Sequence, residues 1–112
     1  MYPNQLLASQ PYPVERALKA VGSNLRMARL RRGLTMVAAA QMIGTGYRAV
    51  MDAERGKPST GVAVYAALLW LYDLLPAFED LANPLKDAHG LALARRKQPL
   101  RARKARGLNN DF

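Results

Sequence analysis

Apolar side chains fall at Val14, Leu18, Val21, Leu25 and Ala28, in steps of four, three, four and three. That spacing marks one face of an α-helix. Pro13 suits its first turn and Gly33 its C-terminal end, and Arg29, Arg31 and Arg32 sit favourably beside the negative end of the helix dipole. A second, short helix is predicted over 36–43, with Thr35 as N-cap and Gly44 as stop, and Ala38, Ala39 and Ala40 permit close approach of a neighbour. A third runs over 47–55, opened by Gly46 and ended by Gly56 and Pro58, with Val50, Ala53 and either Met51 or Glu54 facing inward. Ser59-Thr60 are expected to cap a fourth over 61–75. There Tyr65, Leu68, Leu69 and Tyr72 share a face while Val64, Trp70 and Leu71 cover much of the rest. A fifth, over 76–82, uses Phe78, Leu81 and Ala82 and closes at Asn83-Pro84.

No segment alternates in the manner of a strand, so the pattern predicts an all-α body over 13–82. Ahead of it, Pro3, Pro11 and Pro13 punctuate an irregular lead, 1–12. Behind it lies a basic, partly helical extension, 83–112. Leu85, Ala88, Leu91 and Ala92 predict one amphipathic helix ending near Arg96, before Pro99, Gly107, Asn109 and Asn110 argue for disorder.

Composition narrows the chemistry. The 112 residues hold 17 Lys+Arg against 8 Asp+Glu, a net charge of +9. Positions 83–112 carry eight basic and two acidic residues, a net +6, and positions 1–82 carry nine and six, a net +3. Such a balance favours an anionic partner. With no cysteine and the single His89, read as an exposed helix residue, there is no disulfide framework, no thiolate or histidine metal site and no cysteine nucleophile. The adjacent Glu79 and Asp80 point to different sides of a helix, and no Ser/His arrangement or phosphate-cradling glycine loop is present. The expectation is a protein that is no enzyme and needs no cofactor. The start lacks a leader pattern, and the longest apolar run, positions 62–72, is short of the ~20 residues that span a bilayer. A cytoplasmic protein with no membrane partner is therefore expected.

Two short helices joined by a tight glycine turn, in a basic all-α body, suggest a unit that reads DNA. The second must stand proud enough to enter a major groove about 12 Å wide. Ala40, four residues before Gly44, supplies the small contact such a pair needs.

At this point the chain resembles a known family. The stretch Leu25-Arg26-Met27-Ala28-Arg29 before Gly33-Leu34-Thr35, then Ala40, Gly44, Val50, Glu54-Arg55-Gly56 and Pro58, is similar to the Xre family of helix-turn-helix regulators of the Cro/cI, phage-repressor type. The likeness spans about residues 20–75. It implies a five-helix lambda-repressor-like domain that binds operator DNA, as a homodimer on a pseudo-palindrome. It implies an ion pair between Arg29 and Glu54, with Arg29 also placed near a phosphate. It implies base contacts from Gly46, Tyr47, Arg48 and Asp52, with Arg48 foremost because a guanidinium bonds guanine O6 and N7 together. Thr35, Met36, Lys57 and Ser59 are the further phosphate candidates, Met36 only through backbone N–H groups. Three positions depart from the pattern: Gly46 replaces Ser or Thr, Met36-Val37 replace Gln or Glu, and Ala39 replaces a large Leu.

Size and basic tail also resemble antitoxin regulators of the HipB kind, which pair with a HipA-like kinase toxin. A phage or prophage repressor, or an adaptor that uses the fold without DNA, are the alternatives. Trp70, Tyr65 and Tyr72 form either plain core or part of a dimer face. The tail is open to three readings: an arm on phosphates, a segment that folds on a partner, or a solubilising end.

Overall fold

The computed structural model describes residues 4–97. The expectations for the tail beyond Lys97 lie outside the described residues. Among those residues there are only helices: α1 (Gln5–Ala8), α2 (Tyr12–Arg31), α3 (Met36–Ile43), α4 (Tyr47–Glu54), α5 (Val62–Leu71), α6 (Leu75–Glu79), a 3-10 turn (Pro84–Lys86) and helical backbone, α7, over 88–97. No helix among them is long and apolar enough to cross a membrane. The chain divides into two compact units, one ending at Phe78 and one starting at Glu79.

In the first unit, α4 packs on α3 and α2, and α5 packs on α3 and α4. The core is Leu25, Ala28, Ala39, Ala40, Val50, Ala53, Tyr65, Leu68 and Tyr72. Four of these nine are alanines, so the helices approach closely. Ala39, where a large Leu was anticipated, is fully buried.

The tightest approach joins α2 to the end of α4. A Cβ on Gly22 would lie 2.5 Å from the Glu54 carbonyl oxygen and 2.7 Å from that of Ala53. A Cβ on Gly56 would lie 2.8 Å from the backbone of Leu18 and Lys19, and Gly56 also holds φ 71°. α2 therefore rests backbone to backbone on the turn that ends α4.

Several elements depart from the sequence pattern. A helical turn, Gln5–Ala8, stands inside the lead expected to be irregular. Local bonds make it: Asn4 Oδ1 accepts from Leu6 and Leu7 N–H, and the Gln10 amide donates to the carbonyls of Leu6 and Leu7. α2 buries Gly22, Leu25, Ala28 and Arg29 rather than the whole expected stripe. Val14 and Val21 stay 41% and 40% exposed. α5 stops at Leu71, not at 75. Asp73 turns left-handed (φ 60°), and the carbonyl of the C-cap Tyr72 accepts from Arg32 Nη2 at 2.7 Å in place of a helical partner. Ser59 and Thr60 do not cap α5, since Gly61 is its N-cap and no side chain bonds there. α6 likewise begins at Leu75 and ends at Glu79, short of 82, where Ala82 is left-handed (φ 58°).

In the second unit, Asp80 gathers Asn83 (2.7 Å) and the Lys86 ammonium, and these partners, Lys86 first, hold its carboxyl below the usual range. Asn83 Oδ1 accepts from Leu85 N–H at 2.9 Å, and Asp87 Oδ1 from Gly90 N–H at 2.9 Å. These two caps shape the 3-10 turn and start α7 at 88, three residues later than the pattern of Leu85 and Ala88 suggested.

Gly22→Ala gains about 1 kcal/mol of helix propensity, yet its methyl meets backbone that cannot rotate away. Net destabilisation of about 1–3 kcal/mol is expected in thermal unfolding. Tyr72 is fully buried with its hydroxyl unpartnered. Burial, and next the Glu54 carboxylate, push its pKa above the usual 10.0. Its raised folded-state pKa keeps stability intact below pH 10 and loses it as pH rises further, because the unfolded chain releases that proton more readily. Tyr72→Phe leaves stability near pH 7 unchanged or up to about 1 kcal/mol higher and flattens the alkaline limb of a pH-denaturation curve.

Candidate functional site

α3 and α4 are joined by three residues, 44–46. Thr35 Oγ1 accepts from Ala38 N–H at 3.0 Å and starts α3, as its sequence position predicts. Gly44 ends the helix in the left-handed conformation (φ 79°), and Thr45 N–H returns to the Ala40 carbonyl at 2.9 Å. Residues with a Cβ adopt that conformation reluctantly, so the reversal depends on this glycine. Gly46 then caps α4 with no side-chain bond, leaving the first N–H groups of α4 without a side-chain partner.

The orientation of α4 is set from within. Val50 and Ala53 are fully buried, and Glu54 is buried beside them. Arg29 Nε donates to Glu54 Oε2 at 2.6 Å and Nη2 to Oε1 at 3.0 Å, a two-pronged pair. Nη1 donates to the Leu34 carbonyl at 2.8 Å. One guanidinium thus binds the last turn of α2, the approach to α3 and the end of α4. Of the two residues that the sequence left open for the inner side, Glu54 is the inward one, while Met51 is only half-buried. The pairing implied by the resemblance is present. The second role given to Arg29 is not available: it is 6% exposed and three of its donors are engaged, so it reaches no phosphate. Its bond to Glu54 raises its pKa, against the opposing effect of burial, and keeps it charged.

With that edge pinned, α4 turns outward Tyr47, Arg48, Met51, Asp52 and Arg55, spaced as one continuous face of a helix. Tyr47 is 50% exposed and Arg48 exposed. Gly46 lies exposed at the same end, with open space where a Cβ would stand. Asp52 is not free: its carboxylate lies 3.7 Å from the Lys57 ammonium, and Lys57 N–H donates to the Asp52 carbonyl at 3.0 Å. Lys57 and Ser59 are exposed just past the helix. Thr35 is exposed at the head of α3, whereas the Met36 side chain packs against the core.

The structure therefore brings Gly46, Tyr47, Arg48 and Asp52 to one surface, with Lys57 at its rim. Met51 and Arg55 belong to the same face and were missed as site residues. Their signal was present: they stand three and seven places after Arg48, a helical repeat that puts them on its side. The aromatic cluster offered as a dimer face separates, with Tyr65 and Tyr72 in the core and Trp70 60% exposed. Among the described residues no group of three or more His, Asp or Glu is placed to hold a metal ion. No family model, curated protein or solved structure matches this chain.

Removing one member of a buried pair leaves the other charge unpaired. Glu54→Ala is expected to lower the unfolding free energy by about 3–5 kcal/mol, read by urea denaturation. The double variant Arg29→Met/Glu54→Leu recovers most of that loss, since no buried charge remains.

Proposed function

We propose that this chain is a sequence-specific DNA-binding regulator, built as a lambda-repressor-like five-helix domain from α2 to α6, which reads the major groove with α4. One observation carries the reading. The face of α4 that bears Tyr47, Arg48 and Arg55 is clear of the first unit's own packing, while the opposite face is pinned by Arg29 and Glu54. An α-helix with its side chains is about 10–12 Å across, of a size to lie in a groove about 12 Å wide.

Arg48 is assigned to a guanine edge, where a bidentate contact is worth about 1–3 kcal/mol of discrimination. Tyr47, at the start of the helix, is assigned to a thymine methyl or a neighbouring phosphate. Asp52 is assigned to a cytosine amino group. Lys57 is exposed, and an exposed ion pair at 3.7 Å contributes at most about 1 kcal/mol, so exchange of Asp52 for a phosphate is cheap. Thr35 and Ser59, both exposed, are assigned to the phosphate backbone of the duplex. In this reading the protein represses its own operon as a homodimer. The narrower role, antitoxin to a HipA-like kinase toxin, rests on the sequence resemblance; finding a kinase-like gene immediately downstream would support it over a phage repressor.

The test is binding to the DNA upstream of the gene across salt concentrations. Arg48→Ala should lower the preference for that site over scrambled duplex by about 5- to 150-fold. Lys57→Ala should weaken both duplexes alike and reduce the salt slope by about 1. Absence of binding at low salt, or an unchanged preference in Arg48→Ala, overturns the reading.

A further inference from the structure

We propose that the outward edge of α2 is a self-recognition surface on which a second copy of this chain packs antiparallel, with Val21 at the two-fold axis. α2 carries two seams. Leu18, Gly22, Leu25 and Arg29 form the inward one, seated against the end of α4. The other is Val14, Ala17, Val21, Asn24 and Arg31, in steps of three, four, three and seven, with the buried core residue Ala28 on the same line as the floor of the seam. This is the repeat by which one helix receives the side chains of another. Val14 and Val21 are exposed although their spacing is that of buried positions, and Ala17 is small enough for close approach.

The occupant follows from what lies at the two ends of this seam. At one end stands Val14. At the other, a cavity of about 330 Å³ is lined by Asn24, Met27, Ala28, Arg31, Arg32 and Leu74. Val14 is seven residues before Val21 and Ala28 seven after it. An antiparallel copy centred on Val21 therefore brings each Val14 to the other chain's Ala28 and the hole beside it. The projection and the hole meet twice, as a two-fold interface requires.

Charge selects the same arrangement. The seam carries no ionisable side chain before Arg31. A parallel copy places Arg31 against Arg31 in a chain of net charge +9 and leaves both cavities empty. The antiparallel copy sets the two Arg31 residues about 30 Å apart, beyond the screening length of about 8 Å. The surface is a different edge of α2 from the one against α4. It deepens the homodimer of the function proposed above by naming its contact, and its test involves no DNA, so its failure is distinguishable from a failure of DNA reading.

The native chain has no cysteine, so single cysteines in the full-length protein report the geometry directly. Val21→Cys should oxidise to a disulfide-linked dimer, since only the residue at the axis meets itself. Val14→Cys and Ser23→Cys should remain monomeric on denaturing gels. Val21→Glu should raise the dimer dissociation constant by about 30-fold or more in sedimentation equilibrium, with an unchanged helical circular-dichroism spectrum. A wild-type chain that sediments as a monomer throughout overturns the proposal. So does Val14→Cys linking as readily as Val21→Cys, which marks a parallel pair. So does a dimer that survives Val21→Glu and is lost with Trp70→Ser, which assigns the contact to α5.

Discussion

The buried pair between Arg29 and Glu54 is what the rest of the first unit is arranged around. Two full charges at the centre of a core that is nearly half alanine are costly to desolvate, and well-packed apolar residues of the same size would hold the helices as firmly. What apolar residues would not supply is direction. A fork of donors on a carboxylate has one geometry, and Glu54 is the last residue of α4. Fixing it fixes the roll of α4 about its axis, and with it which side chains face out. The third bond of Arg29, to the Leu34 carbonyl, holds the approach to α3 in the same grip. The pair thereby acts on the outward face without touching it.

That pair is reachable only because the helices are close. Gly22 lets α2 lie on the carbonyls of Ala53 and Glu54, and Gly56 lets the chain turn directly under Leu18. A glycine inside a twenty-residue helix costs propensity, and here its absent side chain is what the contact requires. Arg32 works at the other side of the same helix end. It holds the carbonyls of Ala28 and Tyr72, with its guanidinium 5.4 Å from the centre of the Tyr72 ring. Two neighbouring arginines thus connect α2 to the end of α4 and to the end of α5.

Much of this was legible from residue order. Thr35 and Gly44 bracket α3 because capping and the left-handed turn are local chemistry, and Val50 and Ala53 lie inward because helical spacing puts them there. The Arg29–Glu54 pair came through the resemblance, since no local rule joins residues twenty-five places apart. What residue order did not reveal depends on neighbours. The bend at Asp73 that shortens α5 involves a bond from Arg32, forty positions away. At Gly22 nothing local announces the carbonyls that lie opposite. On α4, inwardness was correctly left open between Met51 and Glu54, since spacing admits both and only the position of Arg29 decides. The apolar stripe on α2 was read as one face, but the helix divides it: Leu25 and Ala28 turn in, while Val14 and Val21 do not.

This division has a physical reason. Half of the residues in the chain are hydrophobic, yet among the described residues only nine hydrophobic side chains are buried. Small units bury a smaller fraction of their surface than large ones, and a core of alanines leaves still less room inside. α2 is long enough to pass the core, so its first half has nothing of the first unit's core to cover it. The inward seam ends where α4 ends, at Gly56 under Leu18, and before that point Val14 holds its helical spacing while staying exposed among the described residues. A helix that continues in register past its own core presents a regular surface, and a seam without charge on a strongly cationic chain is suited to an approach that keeps like charges apart. A two-fold antiparallel pairing does so, because symmetry sends the Arg31 end of one seam to the Val14 end of the other.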